Sequence, residues 1–135
     1  IEEGFVAEGL TIVRAVRSRY DGHARNPFNE YECGSYYARA MASYAILNSL
    51  SGFRYCAVTK TLWFAPKAEG EAPFQAFFSA ETGYGSVRLA GDVLEINMIE
   101  GHLQVDRLIL TRNGDTQEIP WNITARDGER AVKIV

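Results

Sequence analysis

The spacing of apolar positions changes once along the chain, near Gly52. Before it, apolar residues recur at helical intervals; after it, they alternate with polar ones in short runs. From about residue 2 to 19, Val6, Leu10 and Val13 share one helical spacing and Phe5, Ile12 and Val16 another. Glu2, Glu3, Glu8, Arg14 and Arg17 fill much of the remainder. Acids in the first turn and Arg17 and Arg19 in the last suit the helix dipole, so the segment predicts an amphipathic helix closed by Tyr20-Asp21-Gly22. A second helix is predicted from Ser35, as N-cap, to about Ser51, with Gly52 just past its end. Between Tyr36 and Phe53 its single charged residue is Arg39. A helix without a polar face is expected to be buried on all sides. Either further helices enclose it, from a longer polypeptide or a self-association partner, or the β region wraps it alone.

Beyond Phe53 the pattern reads as strands at 55–58, 61–64, 74–80, 86–89, 93–99, 103–111, 118–124 and 130–135. Turn signals separate them at Ala90-Gly91-Asp92, Glu100-Gly101, Asn113-Gly114 and Asp127-Gly128, and the stretch 67–72 reads as a solvated loop. Short strands so closely spaced predict antiparallel pairing, as a sandwich or meander.

Composition narrows the function classes. With 135 residues, 47% hydrophobic and 23% charged, the chain has the make-up of about one soluble domain. A net charge of −3 gives no footprint for gripping nucleic acid. No uncharged run reaches the roughly 20 residues that span a bilayer, so no transmembrane segment is expected, and the start carries no signal-peptide pattern. The compartment stays open, as does the pairing of Cys33 with Cys56. The Asn122-Ile123-Thr124 sequon carries little weight without secretory evidence. His23 and His102 lie far apart, and no His/Cys cluster has ligand spacing, so neither a metal nor a cofactor is expected. The start at Ile1 rather than Met fits a piece of something longer.

The candidate chemistry lies in the loop 23–34 and the helix after it. The loop mixes Arg25, Glu30 and Glu32 with Phe28 and Tyr31, more like a functional loop than a linker. Glu30 and Glu32 are a possible catalytic pair; alternatively they favour the N-terminus of the next helix, Asn29 and Glu32 resembling a capping box. Arg39 is costly to bury unpaired. In one straight helix Glu30 and Arg39 would face opposite ways, so they meet only if the loop folds back, which Gly34-Ser35 permits. A structural ion pair and a polar clamp for a ligand remain equal alternatives. Six of seven tyrosines fall between Tyr20 and Tyr55, suiting either sugar recognition or helix packing. Gly83-Tyr84-Gly85 is too short a glycine pattern to hold a phosphate, and no Ser/His/Asp order is visible.

From Arg19 to Tyr55 the chain resembles the C-terminal end of the catalytic domain of bile-acid β-glucosidases, or non-lysosomal glucosylceramidases (glycoside hydrolase family 116). The resembling elements are Arg25-Asn26-Pro27-Phe28-Asn29-Glu30, Glu32-Cys33-Gly34 and Tyr37-Ala38-Arg39-Ala40-Met41-Ala42-Ser43. Leu62-x-Phe64-Ala65-Pro66 and Gly83-Tyr84-Gly85-Ser86 are similar as well, and nothing beyond Leu89 is. Phe28 stands where the family commonly has tryptophan, and Tyr36 where it commonly has histidine. The resemblance implies an α+β chain. Residues 1–52 would be two antiparallel helices ending an (α/α)6 barrel, and residues 53–135, by their strand pattern, an antiparallel β sandwich or meander extending it. It also implies retaining hydrolysis of β-glucosides, with the catalytic carboxylates upstream and absent here. Glu30 and Arg39 match the family's contacts to glucose hydroxyls. The implied partners are a β-glucoside and the rest of the barrel. A non-catalytic sugar-binding or assembly module built on the β half is the alternative.

Overall fold

Leu94, Ile96 and Met98 are buried, then Leu103 and Val105, then Leu108 and Leu110. All belong to one strand, so its inward phase shifts twice, and those shifts organise the β region. A computed structural model of the chain describes residues 1–19, 23, 40–67 and 72–135, with the backbone alone for 40–44. They fall into two compact units, Ile1–Ser49 and Leu50–Val135.

In the first unit, helix α1 runs Val6–Arg17, with Glu8 in its first turn and Arg14 and Arg17 in its last. It contains no buried residue. Val6, Leu10 and Val13 are half-buried, whereas Phe5, Ile12 and Val16 are exposed. Helix α2 runs Ala40–Ser51 across the boundary between units. Gly52 follows at φ +58, where a Cβ would meet the Ala65 carbonyl at 2.6 Å, so only glycine closes this helix in this way. The Lys67 amide donates to the Leu50 carbonyl at 2.8 Å, tying the helix end to the segment after β2.

Seven strands follow: β1 Arg54–Cys56, β2 Thr61–Phe64, β3 Phe74–Ala80, β4 Gly83–Ala90, β5 Val93–Arg112, β6 Asp115–Arg126 and β7 Arg130–Ile134. The 20-residue β5 is shared by two half-sheets. Its first half lies between β4 and β7, both antiparallel to it. Its second half lies between β6, antiparallel, and β2, parallel. β3 extends the first half-sheet beyond β4, and β1 extends the second beyond β2. The sheet curls so that one face of both halves is buried. Phe64 of β2 meets Phe74 of β3 edge to face at 5.9 Å, and Phe53 stacks on Phe78 at 4.5 Å.

Bulges accomplish the curl. The extra residue Ile99 opens a register shift opposite Tyr84/Gly85. A second shift falls between Val105 and Arg107, where the amides of Asp106 and Arg107 both donate to the Lys60 carbonyl, at 2.8 and 3.4 Å. At the first bulge the backbones nearly touch. A Cβ on Gly85 would lie 2.1 Å from the Asn97 carbonyl oxygen, one on Gly83 2.4 Å from that of Glu100, and one on Gly101 2.2 Å from that of Thr82.

This architecture overturns the expected fold class. The described residues are mostly β, with two short helices and a mixed sheet, not the antiparallel helical end of an (α/α)6 barrel. A wall helix of such a barrel needs a buried stripe, and α1 has none. Helical periodicity marks a face for burial without supplying what buries it. Among the described side chains of α2, Ala45 and Asn48 are exposed, Ile46, Leu47 and Leu50 half-buried, and Ser51 buried. The purely antiparallel expectation also fails, because β2 runs parallel to β5. That pairing joins residues 46 apart, such as Thr61 and Arg107, and leaves no local mark. Glu100-Gly101 is a bend inside β5 rather than a turn, so the expected strands 93–99 and 103–111 are one. The turns at Asn113-Gly114 and Gly91-Asp92 fall where expected. Both residues of the first have positive φ, +52 and +87, and Gly91 has φ +56.

Gly85→Ala is expected to destabilise the β unit by about 2–4 kcal/mol, since backbone rather than a movable side chain blocks the new methyl. Gly91→Ala, with nothing within 4 Å, adds only backbone strain, about 1–2 kcal/mol. Urea unfolding of both variants checks the order; equal losses would remove the role given to close packing at the bend.

Candidate functional site

Glu30 and Arg39, the two predicted glucose contacts, lie outside the described residues, as do Glu32, Cys33, Tyr36 and Tyr37. Cys56 is a free thiol. Among the described residues, no group of three or more His, Cys, Asp or Glu side chains is placed to hold a metal ion, and no helix is long and apolar enough to cross a membrane.

The chemistry that is placed lies on the outward phase of the strands and follows from their register. On the half-sheet of β2, β5 and β6, charged groups are committed to one another. The Arg54 guanidinium lies 5.5 Å from the Trp63 ring centroid. Arg107 donates to Thr61 Oγ1 at 3.3 Å and pairs with Glu118 at 3.5 Å. The Tyr55 hydroxyl donates to the Gln104 carbonyl at 2.6 Å, and burial raises its pKa above the usual tyrosine value. A cleft of about 300 Å³ at the β5–β6 hairpin has a polar lining that includes Asp92, Arg112, Asp115 and Gln117. Its arginine is taken by Asp92 at 3.1 Å.

The outer face of the other half-sheet is different. Register aligns Phe77, Ser86, Asn97 and Arg130 in one row across β3, β4, β5 and β7. Beside it runs the row Gln75, Arg88, Glu95 and Val132. On the other side Ser79, Tyr84 and Glu100 align. Glu95 is 12% exposed and is held between Arg88, at 3.5 Å, and Arg130. The Tyr84 hydroxyl donates to Glu100 Oε2 at 2.9 Å, and that bond, with the carboxylate charge, raises the tyrosine pKa. The Phe77 ring is 46% exposed and tilts toward Tyr84, with centroids 6.1 Å apart. Among the described residues, the central Ser86 hydroxyl and Asn97 amide take no side-chain hydrogen bond. The face thus has a floor of short, unengaged polar groups. An aromatic pair flanks it on one side and, on the other, a cluster of two arginines around one glutamate.

The sequence marks Tyr84 and Ser86 only as part of the resembling stretch Gly83-Tyr84-Gly85-Ser86 and gives none of the residues of this face a site role. One signal was present. In Phe74–Ala80 the residues Phe74, Ala76 and Phe78 share the inward phase, and Phe77 places a third large ring, this one on the polar phase. The charge triad left no such mark, because it joins three strands through long-range register.

No protein-family model matches the chain, and no curated protein matches it either.

Glu95→Gln is expected to cost about 1–3 kcal/mol, because it leaves two neighbouring guanidinium groups without their carboxylate. Thermal melts at low salt should show the loss most clearly. Separately, Glu100→Gln should lower the titration midpoint of Tyr84, followed through its ring carbon by NMR; an unmoved midpoint would mean the bond does not persist in solution.

Proposed function

We propose that the chain is a C-terminal part of a retaining β-glucosidase-type glycoside hydrolase, supplying glucose-subsite residues while the catalytic carboxylate pair lies elsewhere in the parent polypeptide. The observation that carries this reading is the stretch 25–43, in which Arg-Asn-Pro-Phe-Asn-Glu, Glu-Cys-Gly and Tyr-Ala-Arg-Ala-Met-Ala-Ser resemble that enzyme family. The reading rests on these residues and not on a barrel of paired helices. Its chemistry is simple. A carboxylate accepts from sugar hydroxyls and a guanidinium donates to them, each such charged hydrogen bond contributing about 1.5–3 kcal/mol. Glu30 and Arg39 are the residues given this role, with a β-glucoside as substrate and no cofactor required.

The chain alone is expected to be inactive. The test is hydrolysis of aryl β-glucosides and glucosylceramide by the full parent polypeptide, wild type against Arg39→Ala and Glu30→Gln. Loss of about 2 kcal/mol in kcat/KM, roughly 30-fold, is expected for Arg39→Ala. A parent without β-glucosidase activity, or a folded variant with unchanged kcat/KM, would overturn the assignment.

A further inference from the structure

We propose that the outer face of the half-sheet formed by β3, β4, β5 and β7 is a carbohydrate-binding face, taking a neutral oligosaccharide over Ser86 and Asn97. It deepens the sugar-acting reading without using Glu30 or Arg39: hydrolysis of glucosides by the parent and binding at this face can each fail without the other.

The polar floor is the first reason. Ser86 and Asn97 are adjacent in register, half-buried, and unengaged by any side-chain bond among the described residues. A hydroxyl and an amide together both donate and accept, as a sugar's paired hydroxyls require. The second reason is Phe77, an apolar ring 46% exposed on the polar phase of an outer strand, set at an angle to Tyr84. Such a ring offers a flat surface to the C–H face of a pyranose, and the Tyr84 hydroxyl is already fixed by Glu100. The third is the charge balance. Arg88 and Arg130 are offset by Glu95 and Glu100, so the face carries charged hydrogen-bonding groups with no net charge to select an anion.

The arrangement also argues against a protein partner. A protein–protein interface puts apolar residues at its centre and polar ones at its rim. Here the exposed apolar residues form no central patch: Phe77, Val132 and Ile134 lie on the outer strands β3 and β7 and Ile99 at the bulge of β5, with Ser86 and Asn97 between them.

The experiment is an NMR titration of the isotopically labelled 135-residue chain with cellotetraose and with laminaritetraose, sedimentation being run in parallel. At least one sugar should shift the amide signals of residues 77, 86, 97 and 130 with a Kd of about 1 mM, the scale of a few hydrogen bonds and one ring contact. Phe77→Ala and Asn97→Ala should each weaken binding about tenfold or more, Phe77→Tyr should retain it, and Glu118→Gln on the other half-sheet should leave it unchanged. Silence at these residues with both sugars at about 20 mM, where a 1 mM site would be almost saturated, would overturn the proposal. So would self-association abolished by Phe77→Ala, which would make the face a protein interface.

Discussion

The β region depends on the close approach of two backbones where β4 crosses the bend of β5. Three glycines, Gly83, Gly85 and Gly101, leave no Cβ between carbonyls that sit within 2.1 to 2.4 Å of where one would be. With the backbones this near, β5 continues through the bulge at Ile99 instead of turning back. A single 20-residue strand thereby serves as a member of both half-sheets. The hydrophobic consequence follows at once. A one-residue insertion moves every later side chain to the other face of an unbent strand. The bend at 99–102 and the bulge at Asp106 return Leu103, Val105, Leu108 and Leu110 to the core after Leu94, Ile96 and Met98.

The same register that buries one face composes the other. Burial asks only that the inward phase be apolar, which leaves the outward residues free to differ between the two halves. On the β2 side they are spent on mutual pairing: Arg54 with Trp63, and Arg107 with Thr61 and Glu118. On the β4 side the charges close on Glu95 while the centre of the face, Ser86 and Asn97, is unengaged among the described residues. An arginine already satisfied by a neighbouring carboxylate has little left for a ligand; a free amide on a half-buried floor has all of its capacity.

Legibility in the sequence followed how local each cause was. The Asn113-Gly114 and Gly91-Asp92 turns were readable because positive φ is a property of one or two residues, and the strands between them alternate with a period of two. Helix α1 was readable from its charges and spacing, and Gly52 from its place after α2. Gly101 was misread, because a glycine with φ +84 serves equally in a turn and in a bulge, and what distinguishes them is the strand lying against it. Gly83-Tyr84-Gly85 is too short a glycine pattern to carry a meaning locally; its structural meaning needed the carbonyls of Asn97 and Glu100, which arrive from a different strand. The proposed glucose contacts Glu30 and Arg39 were legible only by resemblance, and they lie outside the described residues.

By itself, then, the sequence determined the change from helical to strand periodicity near Gly52, the inward phase of most strands, the two-residue turns and the stretch 25–43 that resembles a β-glucosidase. Tertiary structure alone decided that β2 pairs in parallel with β5, that two expected strands are one, and that Phe77, Ser86, Asn97, Arg88, Glu95 and Arg130 share a face. The physical reason is range. Dihedral preference and side-chain alternation act over a few residues. Strand partnership is settled by the burial of the whole face and by backbone contacts between segments tens of residues apart.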